Sequence, residues 1–242
     1  MWILGIDTCT DTVNIGLLGE DAMFEERDCV PRQQLTILMP MIDKVLKKGK
    51  ISMSQVELIA VTTGPGSFTG IRLGLATAKT LAQINNIKST ALNTLDVLAK
   101  ACLNKGIVIS SIDARKNEVF FALYENTEDK CIRISDYMRK TFEDYVEFIN
   151  SLSLESLSLK NVDSYSCPPT INGTIFFRYK QKLKEKITRP FKITPEEFWT
   201  PQGSVIAAMG REAHSSGLTL NYRELHPNYM RASDAAPPKS LV

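Results

Sequence analysis

The sequence predicts an α/β protein built from two copies of one folding unit. Within the first hundred residues, apolar stretches typical of strands alternate with amphipathic stretches typical of helices, in the order strand-strand-strand-helix-strand-helix-strand-helix. Residues 56–61 are apolar apart from Glu57, as expected of a strand buried in a parallel sheet. The strand-and-aspartate pattern of residues 3–8 then returns at residues 109–114. A pattern repeated at a fixed offset is typical of a duplicated unit.

Each element follows from a local pattern. The first three strands are short and are separated by turn-forming residues, which indicates an antiparallel meander. The first helix has apolar residues at helical spacing and ends at Gly49, and Pro40 inside it is expected to kink or break it. The predicted strands cover residues 2–6, 13–18, 22–27, 56–61 and 89–92, and the predicted helices cover residues 32–48, 70–84 and 93–103.

A glycine-dense turn leads into the second helix. Gly64, Gly66 and Gly70 permit close approach of another backbone or of a ligand. Small residues then recur every four positions and share one helix face: Gly70, Gly74, Ala78 and Ala82. Glycine is unfavourable inside a helix by ~1 kcal/mol relative to alanine. We therefore expect this stripe to pack closely, either inside the chain or against a partner.

The internal repeat divides the chain at about residue 104. Asp113 follows Asp7 by 106 residues, and at the same offset the apolar positions of the next strand coincide: Val13, Ile15 and Leu17 with Val119, Phe121 and Leu123. We predict one unit over residues 1–104 and a second, degraded one over residues 105–242. Polar stretches at residues 126–130 and 151–166 leave the elements between residues 125 and 200 unassigned. A chance similarity of two hairpins is the alternative.

Four motifs carry a resemblance to a known family. They are the glycine turn and helix at residues 64–82, Ile-Asp-Thr at residues 6–8, Asp-Ala-Arg with Glu-Val at residues 113–119, and Pro-Asn-Tyr-Met-Arg at residues 227–231. Together, and in this order, they resemble the TsaB (YeaZ) family of bacterial proteins of tRNA threonylcarbamoyladenosine synthesis, which are non-catalytic relatives of the enzyme TsaD. The resemblance covers nearly the whole chain and is weakest from about residue 125 to 200.

The resemblance implies a duplicated actin-like fold of the ASKHA superfamily, with two βββαβα-type subdomains. It implies a non-catalytic subunit that pairs with TsaD and supports threonylcarbamoyl transfer to the adenosine beside the anticodon of tRNA. TsaE would join the larger complex, and the chain would form a homodimer when TsaD is absent. The implied TsaD interface lies on the first two helices, with these side chains: Leu35, Leu38, Met39, Ile42, Gly70, Gly74, Ala78 and Ala82.

In actin-like enzymes two Asp-containing turns clamp the phosphates of a nucleotide. Asp7 and Thr8 match the first turn and Asp113 matches the second, which makes them weak candidates for nucleotide binding. Arg115 is too bulky for close approach to a phosphate, so we expect no cofactor. A small-molecule kinase or ATPase of the same superfamily is the alternative function. The glycine turn also fits a loose dinucleotide fingerprint, but no acidic residue closes the next strand.

No catalytic residue or metal site is predicted. In TsaD a Val-Asn-His-x-x-x-His segment holds the metal, and Thr94 and Leu98 stand at the two histidine positions here. Neither side chain can replace an imidazole ligand. The two histidines of the chain, His214 and His226, are expected at the surface, and no Cys–His or Ser–His pairing is recognisable.

The composition limits the partners and the cellular compartment that we expect. The 242 residues carry 29 basic and 27 acidic side chains, a net charge of +2, which gives no overall bias toward nucleic acid. The basic segment 178–192 is therefore expected to be at most an auxiliary tRNA contact. Five scattered cysteines without a C-x-x-C pair indicate a reducing cytoplasm. With neither a signal peptide nor ~18 consecutive apolar residues, we expect a soluble intracellular protein without membrane contact.

Overall fold

Two β-sheets with flanking helices organise the chain, in a computed structural model that describes residues 1–29, 33–152 and 167–231. The first half contains β1 (Trp2–Asp7), β2 (Thr12–Leu18), β3 (Met23–Cys29), α1 (Gln34–Lys48), β4 (Val56–Thr62), α2 (Phe68–Asn85), β5 (Lys88–Leu92) and α3 (Thr94–Ala101). The second half contains β6 (Gly106–Asp113), β7 (Glu118–Asn126), β8 (Cys131–Arg133), β9 (Met138–Thr141), α4 (Phe142–Ser151), β10 (Thr170–Asn172), α5 (Ile175–Lys186), β11 (Lys192–Ile193) and α6 (Gly203–Ser215).

The two sheets have the same strand order, which confirms the predicted duplication. The first runs β3-β2-β1-β4-β5 and the second, read from its opposite edge, runs β8-β7-β6-β10-β11. In each sheet the first three strands of the unit are antiparallel, and the later two are parallel to the central strand. Helices alternate with the later strands in the same way in both halves. This arrangement is the actin-like α/β fold that the resemblance implied.

The offset of 106 residues holds for β2 and β7 but places β1 and β6 out of register. Leu4 and Ile6 of β1 pack toward α1 and α2, whereas Ile3 packs toward α6. Ile109, which the offset aligns with Ile3, packs toward the outer helices α4 and α5 of its own half. Because successive strand residues point to opposite faces, a shift of one residue reverses the face. Asp113 pairs with Val119 one position earlier than the offset requires.

Helices are exchanged between the two halves. One face of the first sheet is covered by α1 and α2, and the other face by α6, which belongs to the second half of the sequence. On the second sheet, α4 and α5 cover one face and α3 packs on the other. The predicted division at residue 104 falls in the loop between α3 and β6. It separates the strands of the two sheets, but α3 and α6 each pack on the sheet of the other half. Within the described residues, no helix combines the length and apolar character needed to cross a bilayer.

The first helix is continuous through Pro40. The structure has α1 over Gln34–Lys48, and the predicted start at residue 32 lies outside the described residues. Pro40 removes the hydrogen bond to the carbonyl of Thr36, and both residues are exposed, so water can satisfy that carbonyl. The expected break is therefore absent.

The second half contains shorter elements than the first. Its parallel strands β10 and β11 have three and two residues, which agrees with a degraded copy. Of the polar stretch 126–130, Asn126 ends β7 and residues 127–130 connect β7 to β8. Most of the polar stretch 151–166 lies outside the described residues. The segment without assigned elements in the sequence thus contains three short strands, β8 to β10, together with α4, α5 and β11.

Candidate functional site

The glycine-rich loop before α2 packs against the turn that follows β1. The N–H of Ser67 donates to the carbonyl of Cys9 at 2.7 Å. A Cβ atom on Gly66 would lie 2.1 Å from the Cys9 carbonyl oxygen, and one on Gly70 would lie 1.9 Å from the Thr8 carbonyl oxygen. A side chain at either position would push the two backbones apart. The glycines therefore serve a contact within this chain.

The small-residue stripe of α2 faces the protein interior. Ala78 and Ala82 are almost fully buried, and so are Gly70 and Gly74. A Cβ atom on Gly74 would lie 2.5 Å from the hydroxyl oxygen of Thr8. The expectation that these four residues touch a partner is wrong, because the turn after β1 and the core of the first sheet already cover them. Of the two alternatives open at the sequence level, packing inside the chain holds.

The four candidate interface residues of α1 divide into two pairs. Leu38 and Ile42 are 1% and 2% exposed and belong to the core beneath α1, so their assignment to a partner surface is wrong. Leu35 and Met39 are 76% and 49% exposed. They lie at the exposed edge of the apolar face of α1.

Asp7 is held entirely by its own chain. Its carboxylate accepts hydrogen bonds from the Thr62 hydroxyl at 2.6 Å, the Cys9 N–H at 3.1 Å and the Asn14 side-chain amide at 3.1 Å. Complete burial raises the pKa of Asp7 to about 6, and the three donors oppose that rise. Thr8 is also buried and donates to the carbonyl of Gly70. The weak candidates Asp7 and Thr8 are therefore both occupied by contacts within the chain.

A cleft of about 980 Å³ lies between the two halves, beside the turns that follow β1 and β6. Side chains of both signs, several hydroxyls and aromatic rings line it: Thr10, Asp11, Thr12, Ser67 and Phe68 from the first half, Asp113, Arg115, Phe177, Arg178 and Thr200 from the second, and Asn228, Tyr229 and Arg231 near the end of the described chain. Asp7 and Thr8 are not among its lining residues. The cleft is thus lined by the later residues of the turn after β1, Cys9 to Thr12, and not by its first two candidates.

Arg115 lies in the turn after β6, and its side chain spans the cleft. Its guanidinium contacts Asp11 at 2.6 Å across the cleft and Asp113 at 3.5 Å on its own side. Arg115, Lys116 and Asn117 all have positive φ angles, between 50° and 61°. Such a run is uncommon for residues other than glycine and indicates a strained, well-supported turn. Of the three candidate phosphate residues, only Asp113 reaches the cleft, and arginine already pairs with it.

The Pro-Asn-Tyr-Met-Arg segment, residues 227–231, ties the two halves together. The N–H of Asn228 donates to the Thr63 carbonyl at 2.7 Å at the end of β4. The ring of Tyr229 stacks on the ring of Phe68, the first residue of α2, with 4.7 Å between ring centroids. The guanidinium of Arg231 donates to the Glu118 carboxylate at 2.9 Å at the start of β7. Sequence reasoning used this motif for recognition but assigned it no structural role.

Comparison with known proteins decides the family. The family model described as "TsaD: tRNA N6-adenosine threonylcarbamoyltransferase" matches residues 29–223, which is most of the chain. The chain belongs to the TsaD family, within its TsaB (YeaZ) group. It is 26% identical over 238 residues to the Bacillus subtilis "tRNA threonylcarbamoyladenosine biosynthesis protein TsaB", an alignment that covers 97% of this chain and 96% of that protein.

Other TsaB relatives agree over different lengths. The Haemophilus influenzae TsaB is 23% identical over 95% of this chain and 93% of its own length. The Escherichia coli TsaB is 31% identical over 53% of this chain, and the alignment spans 57% of that protein. The solved structure "YeaZ from Pseudomonas aeruginosa" has a TM-score of 0.77 at 21% identity, and the match covers 95% of this chain and 99% of that chain. At that identity the likeness concerns the fold.

The positions of the TsaD metal histidines lie in the core of this TsaB-type chain. Thr94 begins α3, and Leu98 packs in the cluster between α3 and the second sheet; both are fully buried. His214 and His226 are exposed, as predicted. Within the described ranges no three His, Cys, Asp or Glu side chains are grouped so that they could hold a metal ion.

Proposed function

We propose that this chain is a non-catalytic subunit that pairs with TsaD and supports threonylcarbamoyl transfer to tRNA. The chain is a tRNA threonylcarbamoyladenosine biosynthesis protein of the TsaB type. The observation that carries the non-catalytic role is the burial of Thr94 and Leu98 in the apolar core, at the two positions where the enzyme resemblance requires histidines. An imidazole pair could not be reached by a substrate there. No resident cofactor is part of this proposal.

The cleft supports the same proposal. An ATPase would need Asp7 free to act on a metal-bound nucleotide, but three hydrogen-bond donors of the chain hold its carboxylate. Cys9 lines the cleft, yet burial, followed by the nearby charge of Asp7, raises the pKa of its thiol to about 12. A thiol that stays protonated at neutral pH is a poor nucleophile. We therefore favour a binding role over the kinase or ATPase alternative.

The proposed TsaD surface is the outward side of the helix layer formed by α1 and α2. Both helices cover the same face of the first sheet. Large apolar side chains remain exposed there at Leu35, Met39 and Ile84, the last at 75% exposure. The outward face of α2 also carries the small residues Ala76 and Thr80. Apolar anchors beside a smooth helix surface suit close helix–helix contact. We propose that the same surface forms a homodimer when TsaD is absent.

The decisive experiment measures binding of the full chain to TsaD by calorimetry. Leu35→Glu places a charge on the proposed surface, and we expect the affinity for TsaD to fall about tenfold or more. Leu103→Glu is the matched control, because Leu103 is an equally exposed leucine that follows α3 on the side of the second sheet. Equal effects of the two substitutions, or none, would overturn the assignment of this surface.

The wider assembly is proposed on the family resemblance. TsaE would join the complex, and the bound tRNA would be contacted mainly through TsaD in the cytoplasm. If the chain itself is non-catalytic, the purified protein alone should lack threonylcarbamoyl transferase, ATPase and peptidase activity. Turnover that co-purifies with the chain and disappears in an Asp7→Ala variant would contradict this.

A further inference from the structure

A buried hydroxyl without a partner marks one wall of the cleft. Thr200 lines the cavity and is 1% exposed, and its hydroxyl oxygen has no hydrogen-bond partner within the described part of the chain. Buried polar groups are nearly always hydrogen-bonded, because leaving one unpaired destabilises the folded state. The described residues therefore keep a hydrogen-bonding group in place that none of them uses.

The same wall carries an exposed aromatic ring and a guanidinium. Phe177 lines the cleft and is 54% exposed, and its ring contacts Trp199, the residue before Thr200, with 5.3 Å between centroids. Arg178 follows Phe177 in α5, and its side chain is half exposed. Its guanidinium reaches Asp113 only at 3.8 Å, which leaves N–H donors available. A ring surface, a cation and an unused hydroxyl thus lie on one wall.

The charges along the cleft limit the ligand. Arg115 is already paired with Asp11 and Asp113, and Arg231, which also lines the cleft, is paired with Glu118. A phosphate dianion placed at Arg178 would meet these two carboxylates with little added positive charge, whereas a monoanion would meet half of that repulsion. A guanidinium also matches a carboxylate geometrically. The apolar side chains Ile112, Phe120 and Met230 of the lining suit a flat hydrocarbon body.

We propose that this cleft binds a small monocarboxylate with a planar ring. The ring packs on Phe177, the carboxylate pairs with Arg178, and the Thr200 hydroxyl supplies a further hydrogen bond. This binding site lies outside the α1–α2 surface that the proposed function uses. The two proposals can therefore fail separately.

Calorimetry and saturation-transfer NMR on the full chain test the ligand class. Benzoate, benzamide and inorganic phosphate are the probes, because benzamide keeps the ring without the charge and phosphate keeps the charge without the ring. We expect benzoate to bind with a dissociation constant of about 1 mM or tighter, and each of the other two about tenfold more weakly. No binding of benzoate, or equal binding of benzamide or phosphate, overturns the proposal.

Two substitutions test the location. Thr200→Val removes the hydroxyl at constant shape, so it should keep or raise the melting temperature while it weakens benzoate binding several-fold. Ser110→Ala is its control, because Ser110 also has a buried, unpartnered hydroxyl but does not line the cleft. Arg178→Gln should weaken benzoate about tenfold, and Lys186→Gln, on the same helix, should not. Benzoate binding that is unchanged in both cleft variants would place the ligand elsewhere and overturn the proposal.

Discussion

The carboxylate of Asp7 fixes the first turn of the chain by accepting three hydrogen bonds while it is fully buried. It holds Thr62 at the end of β4 and Asn14 at the start of β2, so one side chain joins three strands. In an actin-like enzyme the same position would need a free carboxylate. Here the donors lower the cost of burying the charge but do not cancel it, since the pKa stays raised.

A pH-dependent stability follows from Asp7. Its pKa is about 6 in the folded chain and 3.8 for the unperturbed group, so the folded state binds the proton more tightly. The contribution of Asp7 to the free energy of unfolding is therefore fully present below about pH 4, and it is lost as the pH rises through about 6. The loss is on the order of 3 kcal/mol for a fully buried group with this shift.

Urea unfolding of the wild type and of Asp7→Asn at pH 5 and pH 7.5 measures this effect. The wild type should lose about 1 kcal/mol more than the variant over that range, because the fall between pH 4 and pH 5 precedes it and the variant has no carboxylate to ionise. A pH dependence that is the same in both proteins would mean that Asp7 titrates at an ordinary pKa.

At the scale of single elements, α2 has small residues on two faces, of which one is buried inside the chain and the other is exposed to solvent. Gly70, Gly74, Ala78 and Ala82 form the buried face, and Ala76 with Thr80 lies on the exposed one. A sequence period of four predicts that small residues share a face. It does not predict what covers that face, because packing inside the chain and packing on a partner both require small side chains. In the structure the turn after β1 covers this face, because Thr8 lies against Gly70 and Gly74.

Leucine substitutions on the two faces of α2 should separate folding from binding. Gly74→Leu would drive a side chain into Thr8, so we expect a loss of about 1 to 3 kcal/mol in the free energy of unfolding. Ala76→Leu adds the same side chain on the exposed face and should leave that free energy within ~0.5 kcal/mol, while it weakens TsaD binding. Chemical denaturation and calorimetry measure the two effects. If Gly74→Leu stays fully stable, the buried stripe is not tightly packed.

The sequence predicted long, periodic elements better than short or shifted ones. All three helices of the first half were predicted, the first from apolar spacing and the second from its stripe of small residues, and the structure confirms them with changes of a few residues at their ends. By contrast, β10 and β11 are too short for a period of two to be visible. Leu35 and Leu38 share an apolar stripe in the sequence, yet only Leu38 is buried. How much of the stripe the sheet covers depends on the tertiary structure, which the local pattern does not contain.

The lysines of α5 should make only a small contribution to tRNA binding. Lys180, Lys182, Lys184 and Lys186 are all exposed and are distributed around the helix rather than along one line, as their alternation predicts. Removing all four as alanines should lower the tRNA affinity of the TsaD complex by about tenfold or less, since exposed phosphate contacts are weak and screened by salt. Filter binding at two salt concentrations measures this. A larger loss with a shallower salt slope would identify α5 as a principal tRNA contact.

Across the whole molecule, the two halves are joined by exchanged helices and by contacts over the cleft. The exchange of α3 and α6 buries apolar surface on both sheets, which stabilises the joined halves. At the cleft itself the contacts are polar and differ in exposure. The Arg115–Asp11 pair is more than half exposed on both sides, whereas Arg231 and Glu118 are about one quarter exposed.

This difference in exposure predicts unequal effects of removing the two arginines. Arg115→Gln should change the free energy of unfolding by ~0.5 kcal/mol or less, because an exposed ion pair is screened by solvent. Arg231 also donates to the carbonyl of Ala114 at 3.1 Å, so Arg231→Gln leaves both this carbonyl and Glu118 with weaker partners and should cost about 1 to 2 kcal/mol. Urea unfolding gives both values, and hydrogen exchange should show faster opening of the Asn228 amide in Arg231→Gln alone. If Arg115→Gln were the more damaging change, the strained turn of residues 115–117, and not the segment 227–231, would be the main polar connection between the halves.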